Sequence, residues 1–217
     1  TRRSVAFRSW ACWKTYVGRP EADPARCLAM GALGSGLSAA EHQEDALSVK
    51  EAELSMMRRL GDSESNILAV QSNLATTYHM LDRPEEANRM LKDVYSGRQK
   101  VLGEEHKSTI IAANNYAHSL VRIECFEKAK LLLRKTIPVA RRVLGANDNL
   151  TLRTRWLYAN ALYEDPRATL HDLREAVETL ESVAPLWERV YGISHPETLR
   201  VQGALEDARE GLAARAA

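Results

Sequence analysis

A glycine-marked segment recurs along this chain at an almost fixed interval. Leu102-Gly103-Glu104-Glu105-His106 has counterparts in Leu60-Gly61-Asp62-Ser63-Glu64, Leu144-Gly145-Ala146-Asn147-Asp148 and Tyr191-Gly192-Ile193-Ser194-His195. The glycines stand at 61, 103, 145 and 192, giving two intervals of 42 residues and then one of 47. Other positions keep the same register. Asn73-Leu74-Ala75 returns as Asn115-Tyr116-Ala117 and as Leu157-Tyr158-Ala159. Ala87 and Leu91 return as Ala129 and Leu133 and, after a five-residue insertion, as Ala176 and Leu180. Thr109, Thr151 and Thr198 each follow a glycine by six residues. Self-similarity at such a period marks one supersecondary unit repeated as an array, which constrains the fold more than any composition can.

Each unit reads as two helices. Leu68, Leu74, Ala75, Tyr78 and Leu81 recur at helical rather than alternate spacing. Asp82-Arg83-Pro84 breaks the run, since proline is tolerated in a first helical turn but not in an interior. A second helix is expected from about Pro84 to Leu102, stopped by Gly103, and the next unit opens at Ser108 or Thr109 as a cap. We call the two helices A and B. One such hairpin cannot cover its apolar stripe, whereas stacked neighbours do, so the expected class is all-α, a right-handed solenoid of antiparallel helix pairs. Small residues at the A–B contact (Ala75, Ala117 and Ala159 facing Ala87, Ala129 and Ala176) allow close approach.

The expected organisation starts with residues 1–24 as a helical segment from a preceding repeat and 25–66 as a degenerate unit. Full units follow at 67–108 and 109–150, an inserted unit at 151–197, and a capping helix at 198–217. In the degenerate unit, Glu41 to Leu60 reads as helix B with Ala46, Val49, Ala52, Leu54 and Leu60 apolar. Its helix A is weakened by Gly31, Gly34 and Gly36, at roughly 1 kcal/mol each.

Composition excludes several functions. There are 30 Lys and Arg against 29 Asp and Glu, a net charge of +1, so the basic excess used by nucleic-acid and anionic-membrane binders is missing. No apolar run approaches the roughly 20 residues of a membrane span. Three cysteines without a CxxC pair argue against a disulfide framework or a zinc module and favour a reducing, cytoplasmic setting. The chain begins at Thr1, and its basic opening (Thr1-Arg2-Arg3, Arg8, Lys14) reads as a helix start or as the remnant of a transit peptide.

Leu74, Ala75, Tyr78, Ala87 and Leu91 stand at the offsets of the tetratricopeptide repeat. The longer period, the Asn-Leu-Ala of helix A and the connector Tyr191-Gly192-Ile193-Ser194-His195-Pro196-Glu197-Thr198-Leu199 resemble the kinesin light chain subclass of that repeat, over roughly residues 41 to 217. The resemblance implies that A helices line a concave groove that binds an extended peptide or partner protein. Asn73 and Asn115 are the carried-over contacts, because an amide both donates to and accepts from a peptide backbone. Thr76, His118 and Asn160 belong to the same face, and Arg122, Arg153 and Arg200 would meet acidic groups of the ligand. Ala69, Met80, Ile111, Leu157 and Glu164 are read onto that face as well.

No catalytic constellation is found. Gly31-Ala32-Leu33-Gly34-Ser35-Gly36 has no preceding strand and no following Lys-Ser/Thr, and the six histidines lack ligand spacing, so neither cofactor nor metal is expected. His106 and His195 fall in connectors and read as structural hydrogen-bonding groups. Trp156 and Trp187 read as packing residues, and the stretch from Asp165-Pro166 to His171 as either a binding edge or a neutral insertion. Two other functions stay open: an assembly array using its outer face (Arg134, Arg141, Glu178), and the regulatory repeats of a larger enzyme.

Overall fold

The structure, a computed structural model, describes residues 2–216, with the side chains of Arg2 and Arg3 left undescribed. Thr1 and the Arg2 and Arg3 side chains of the basic opening, and the last residue of the expected capping helix, Ala217, therefore lie outside what is described. Among the described residues there are ten helices and no strand. They are α1 (Arg2–Tyr16), α2 (Pro24–Ala39), α3 (Gln43–Leu60), α4 (Glu64–Met80), α5 (Pro84–Leu102), α6 (Lys107–Arg122), α7 (Phe126–Leu144), α8 (Asn149–Tyr163), α9 (Leu170–Tyr191) and α10 (Pro196–Ala216). They group into two compact units, Thr1–Val101 and Leu102–Ala217.

Two kinds of turn alternate along the chain. At three of the turns from an A helix to its B helix, a non-glycine residue takes the left-handed conformation: Glu41 (φ 69°), Asp82 (φ 54°) and Glu124 (φ 57°), whereas Glu164 after α8 stays right-handed. The next amide then closes back onto the helix, with Arg83 N–H donating to the Tyr78 carbonyl at 2.9 Å and Cys125 N–H to the Leu120 carbonyl at 2.8 Å. This is the Schellman arrangement, which satisfies carbonyls that a helix end leaves open. Where a B helix ends, Gly61, Gly103, Gly145 and Gly192 supply the positive φ.

The following helices are capped from the connectors. Ser63 Oγ accepts from Asn66 N–H, His106 Nδ1 from Ser108 N–H at 3.1 Å, Asp148 Oδ1 from Leu150 N–H at 2.8 Å, and His195 Nδ1 from Glu197 N–H at 3.2 Å. His106 therefore does the work expected of Ser108 or Thr109. Helix α6 has already begun at Lys107, and Thr109, like Thr151 and Thr198, is buried within the first turn.

In the first unit the core joins Ala29 and Leu33 of α2 to Leu47, Leu54, Met56 and Met57 of α3, Leu68 and Leu74 of α4, and Leu91 and Val94 of α5. The stripe expected on α3 is partly wrong: Ala52 and Leu60 are exposed, and Lys50 is buried, with 6% of its surface accessible. Helix α2 forms despite its glycines because one of them is a contact. A Cβ at Gly36 would lie 2.2 Å from Ser9 Oγ and 3.5 Å from the Val5 carbonyl, so only glycine lets α1 pack this close.

In the second unit the core runs through Ala117, Leu133, Leu152, Leu162, Leu180, Val183, Trp187 and Val201. Trp187 is 1% exposed and stacks on Tyr191, which stacks on His195, so this tryptophan is a packing residue as expected. Trp156 is partly buried against the same cluster.

The insertion is stitched down on two sides. Asp165, 3% exposed, pairs with Lys130 of α7 at 3.2 Å, and Lys130 also pairs with Glu127. Burial opposes ionisation of Asp165, but the Arg167 amide and Lys130 outweigh it and hold the carboxyl below its ordinary value. Arg215 of α10 donates to the carbonyls of Pro166 and Ala168, and Thr169 forms a capping box with Asp172 that starts α9.

Candidate functional site

The A-helix face of the first unit is built by α2 and α4. Leu28 of α2 is 76% exposed, and Ala32 and Ser35 follow it one and two turns on; α4 contributes Ala69, Asn73, Thr76 and Met80, all exposed. Between the two helices, over α3, lies a cavity of about 740 Å³ walled by Leu28, Ala32, Met57, Val70 and Asn73. A smaller one of about 200 Å³ continues past Asn73 to Thr76, Gln43 and Met80. The two predicted residues of this unit, Asn73 and Thr76, thus stand together. Thr76 Oγ1 donates back to the Ser72 carbonyl at 3.2 Å, while the Asn73 amide has no hydrogen bond among the described residues.

The floor of the larger cavity holds two charged side chains that sequence reasoning did not identify. Lys50 Nζ donates to Ser38 Oγ at 2.8 Å and to Thr77 Oγ1 at 2.7 Å. Glu53, one helical turn on, is half-buried, and no hydrogen bond or ion pair engages its carboxylate among the described residues. Burial pushes the Lys50 amine down and the Glu53 carboxyl up, each partly offset by the other's charge. The signal for both was in the register. Aligned on the left-handed residues Glu41, Asp82 and Glu124, Lys50 occupies the place of Leu91, Leu133 and Leu180, and Glu53 that of Val94, Thr136 and Val183.

In the second unit, Asn115, His118 and Arg122 share one face of α6 at i, i+3 and i+7, and Arg153 of α8 comes close enough to act on His118. The His118 side chain is exposed to solvent, with neighbouring protein partly desolvating it. Desolvation, then the charges of Arg122 and Arg153, hold its imidazole below the usual range. The Asn115 amide has no hydrogen bond among the described residues. Asn160, further along α8, has its Oδ1 shielded from solvent and without a donor. Arg200 of α10 is already paired with Glu197 at 2.9 Å. Leu157, read onto this face, is instead buried in the core at 3% exposure, because α8 turns its Leu-Tyr-Ala run inward. Past Asn160 the sign changes: burial and the Asp207 charge raise the Glu164 carboxyl.

The structure thus brings together His118, Arg122 and Arg153, and separately Asn73 with Thr76. Its polar groups suit recognition of a backbone and of acidic side chains. Among the described residues no group of three or more His, Cys, Asp or Glu could hold a metal ion, and no helix is long and apolar enough to cross a membrane.

Residues 66–141 match the family model of the tetratricopeptide repeat. Among solved structures, the kinesin light chain-type array of nearly identical tetratricopeptide-like repeats from Podosopora anserina aligns at 21% identity and a TM-score of 0.73, covering 88% of this chain and 89% of that one. BtubC from P. vanneervenii aligns at 13% identity and a TM-score of 0.73, covering 99% and 89%. A Rap protein complexed with competence and sporulation factor aligns at 17% identity and a TM-score of 0.51, covering 97% and 58%. No curated protein matches the chain by sequence. The fold is therefore the all-α tetratricopeptide solenoid of antiparallel helix pairs, similar to that of the kinesin light chain-type array.

Proposed function

We propose that this tetratricopeptide array is a non-catalytic docking platform whose A helices hold an extended peptide, or an extended segment of a partner protein, with acidic residues among those bound. It would work in a reducing compartment such as the cytoplasm, a setting that its unpaired cysteines fit. The observation that carries the reading is the row Asn115, His118 and Arg122 on α6, with Arg153 beside it, where an uncommitted amide adjoins concentrated positive charge. An amide pairs with any peptide backbone, and arginines add charge-assisted bonds to carboxylates. The Rap protein of similar fold, complexed with competence and sporulation factor, supports such use.

The test is Asn115→Ala, read against peptides selected on the wild-type chain from a randomised display library. Affinity is expected to fall about tenfold, the worth of one or two hydrogen bonds at an interface, with melting temperature unchanged. Unchanged affinity, or a loss accounted for by unfolding, would remove Asn115 from the site. The outer-face reading finds less support, because Arg134 is committed internally: its Nε donates to Tyr158 Oη at 2.7 Å and its guanidinium pairs with Glu175.

A further inference from the structure

The cavity of the first unit differs in kind from the rest of the A-helix face. Every later B helix places aliphatic or small uncharged side chains at the two positions that α3 gives to Lys50 and Glu53. The A helix above them is correspondingly pared down. Ala32 stands in the register of Asn73 and Asn115, and a Cβ at Gly31 would lie 2.8 Å from Glu53 Oε1, so glycine there leaves room for the carboxylate. The two charges do not form an ion pair. Lys50 is already satisfied by two hydroxyls, which leaves the Glu53 carboxylate without a hydrogen bond or ion pair and its charge only partly offset by Lys50. Asp62 lines the same cavity and adds a second negative charge, its Oδ1 already accepting from Ser63 N–H and Asn66 Nδ2. The walls are apolar: Leu28, Met57 and Val70.

We propose that this cavity receives a lysine or arginine side chain of the bound peptide, its aliphatic stem against Leu28, Met57 and Val70 and its cationic head at Glu53. The assignment rests on the peptide-docking reading and extends it, since it gives the first unit a preference opposite in sign to that of His118, Arg122 and Arg153. The chemistry of the occupant follows from the cavity. A desolvated carboxylate without a partner favours a cation, and long basic side chains bury their methylene stems on apolar surface while keeping the charge on a polar group.

Cys27 lines the cavity and reports on it directly. In a Cys12→Ser, Cys125→Ser background, the Cys27 thiolate attacks an added disulfide, forms the mixed disulfide and releases the free thiol. Cystamine carries an ammonium group at each end, and bis(2-hydroxyethyl) disulfide is its neutral counterpart. Each rate is divided by that of the same chain unfolded in urea, which removes intrinsic reactivity. The folded chain is expected to favour cystamine about fivefold, as one partly desolvated ion pair allows. Glu53→Gln is expected to bring that ratio to about one, while Ala32→Trp, on an exposed position, blocks both reagents without lowering the melting temperature. A ratio of one in the folded chain, or a ratio that Glu53→Gln leaves unchanged, overturns the proposal.

A second arm identifies the source of the cation. Peptides selected on the wild-type chain should carry a Lys or Arg that is no longer enriched on Glu53→Gln. Peptides that bind without such a residue overturn the cavity's role and leave the docking reading intact. Failure to select any peptide counts against docking itself, and with it against a peptide as the occupant.

Discussion

His118 is the residue of the proposed site whose charge state is expected to respond to a bound ligand. Its imidazole is held below the ordinary value of 6.5 by desolvation and by Arg122 and Arg153, so the folded chain binds its proton less tightly than the unfolded chain. The sign follows: this group favours the fold above pH 6.5, and that contribution is lost as pH falls through the depressed value. An acidic ligand would add counter-charge beside the imidazole and raise the value again, so binding is expected to take up a proton. Affinity for an acidic peptide is expected to rise between pH 7.5 and 5.5, and the rise to disappear in His118→Gln. An NMR titration of the free chain with a midpoint at or above 6.5 would contradict this. A second residue-scale expectation concerns Glu124, which holds a left-handed conformation without being glycine. Glu124→Gly should stabilise the chain by up to about 1 kcal/mol, read in thermal melts, because the strain removed exceeds the added freedom of the unfolded chain. Lower stability would mean that the Glu124 side chain contributes contacts that outweigh the strain.

At the scale of the element, the same substitution should have opposite signs in two helices. Gly36 of α2 faces Ser9 and the Val5 carbonyl, so Gly36→Ala forces α1 outward and is expected to cost about 1–3 kcal/mol. Gly203 of α10 has nothing within 4 Å of its missing Cβ, and Gly203→Ala should gain about 0.5–1 kcal/mol from helix propensity alone. Chemical denaturation of both variants checks the pair; equal effects would mean that α1 does not rest on Gly36. These glycines also show where sequence reading stops. Helical spacing and the glycine period made the elements legible, but propensity scored the glycines of α2 only as a weakness. Their value as contacts depends on which helix lies opposite, and one residue type at one spacing does not reveal that. The caps were misplaced for a related reason. His106 and Ser108 can both accept a bond from a first-turn amide, and only the backbone decides which of them precedes the helix.

At the scale of the whole molecule, the repeat made the architecture legible and half of the candidate site with it. The α6 row was visible because it copies a register carried by a resemblance. The cavity over α3 was not, because it departs from the register, and the apolar pattern of α3 was read as though Lys50 and Glu53 were surface residues. Their place is visible only when α3 is aligned on the left-handed turns rather than on the glycines. The second unit has its own core from α6 to α10, with Trp187 at its centre and Lys130–Asp165 and Arg215 tying down its long loop. Residues 102–217 expressed alone are therefore expected to give a helical circular dichroism spectrum and a cooperative melt. A broad, non-cooperative loss of signal would show that this core is insufficient by itself.

Arrays of this kind lengthen by copying a helix pair, since each copy offers its neighbours the faces it was copied with. The pair α2–α3 does not obey that grammar. Lys50 is tolerated in place of a core leucine only because Ser38 and Thr77 present hydroxyls to it, and the register neighbours of Thr77 in the later A helices are Ser119 and Ala161. A duplicate of α2–α3 set between later pairs would carry its two charges into a place shaped for Leu and Val, whereas a duplicate of α6–α7 would bring none at those positions. Growth by duplication therefore has permitted and forbidden templates along this chain, and the pair that is hardest to copy is the one that forms the cavity.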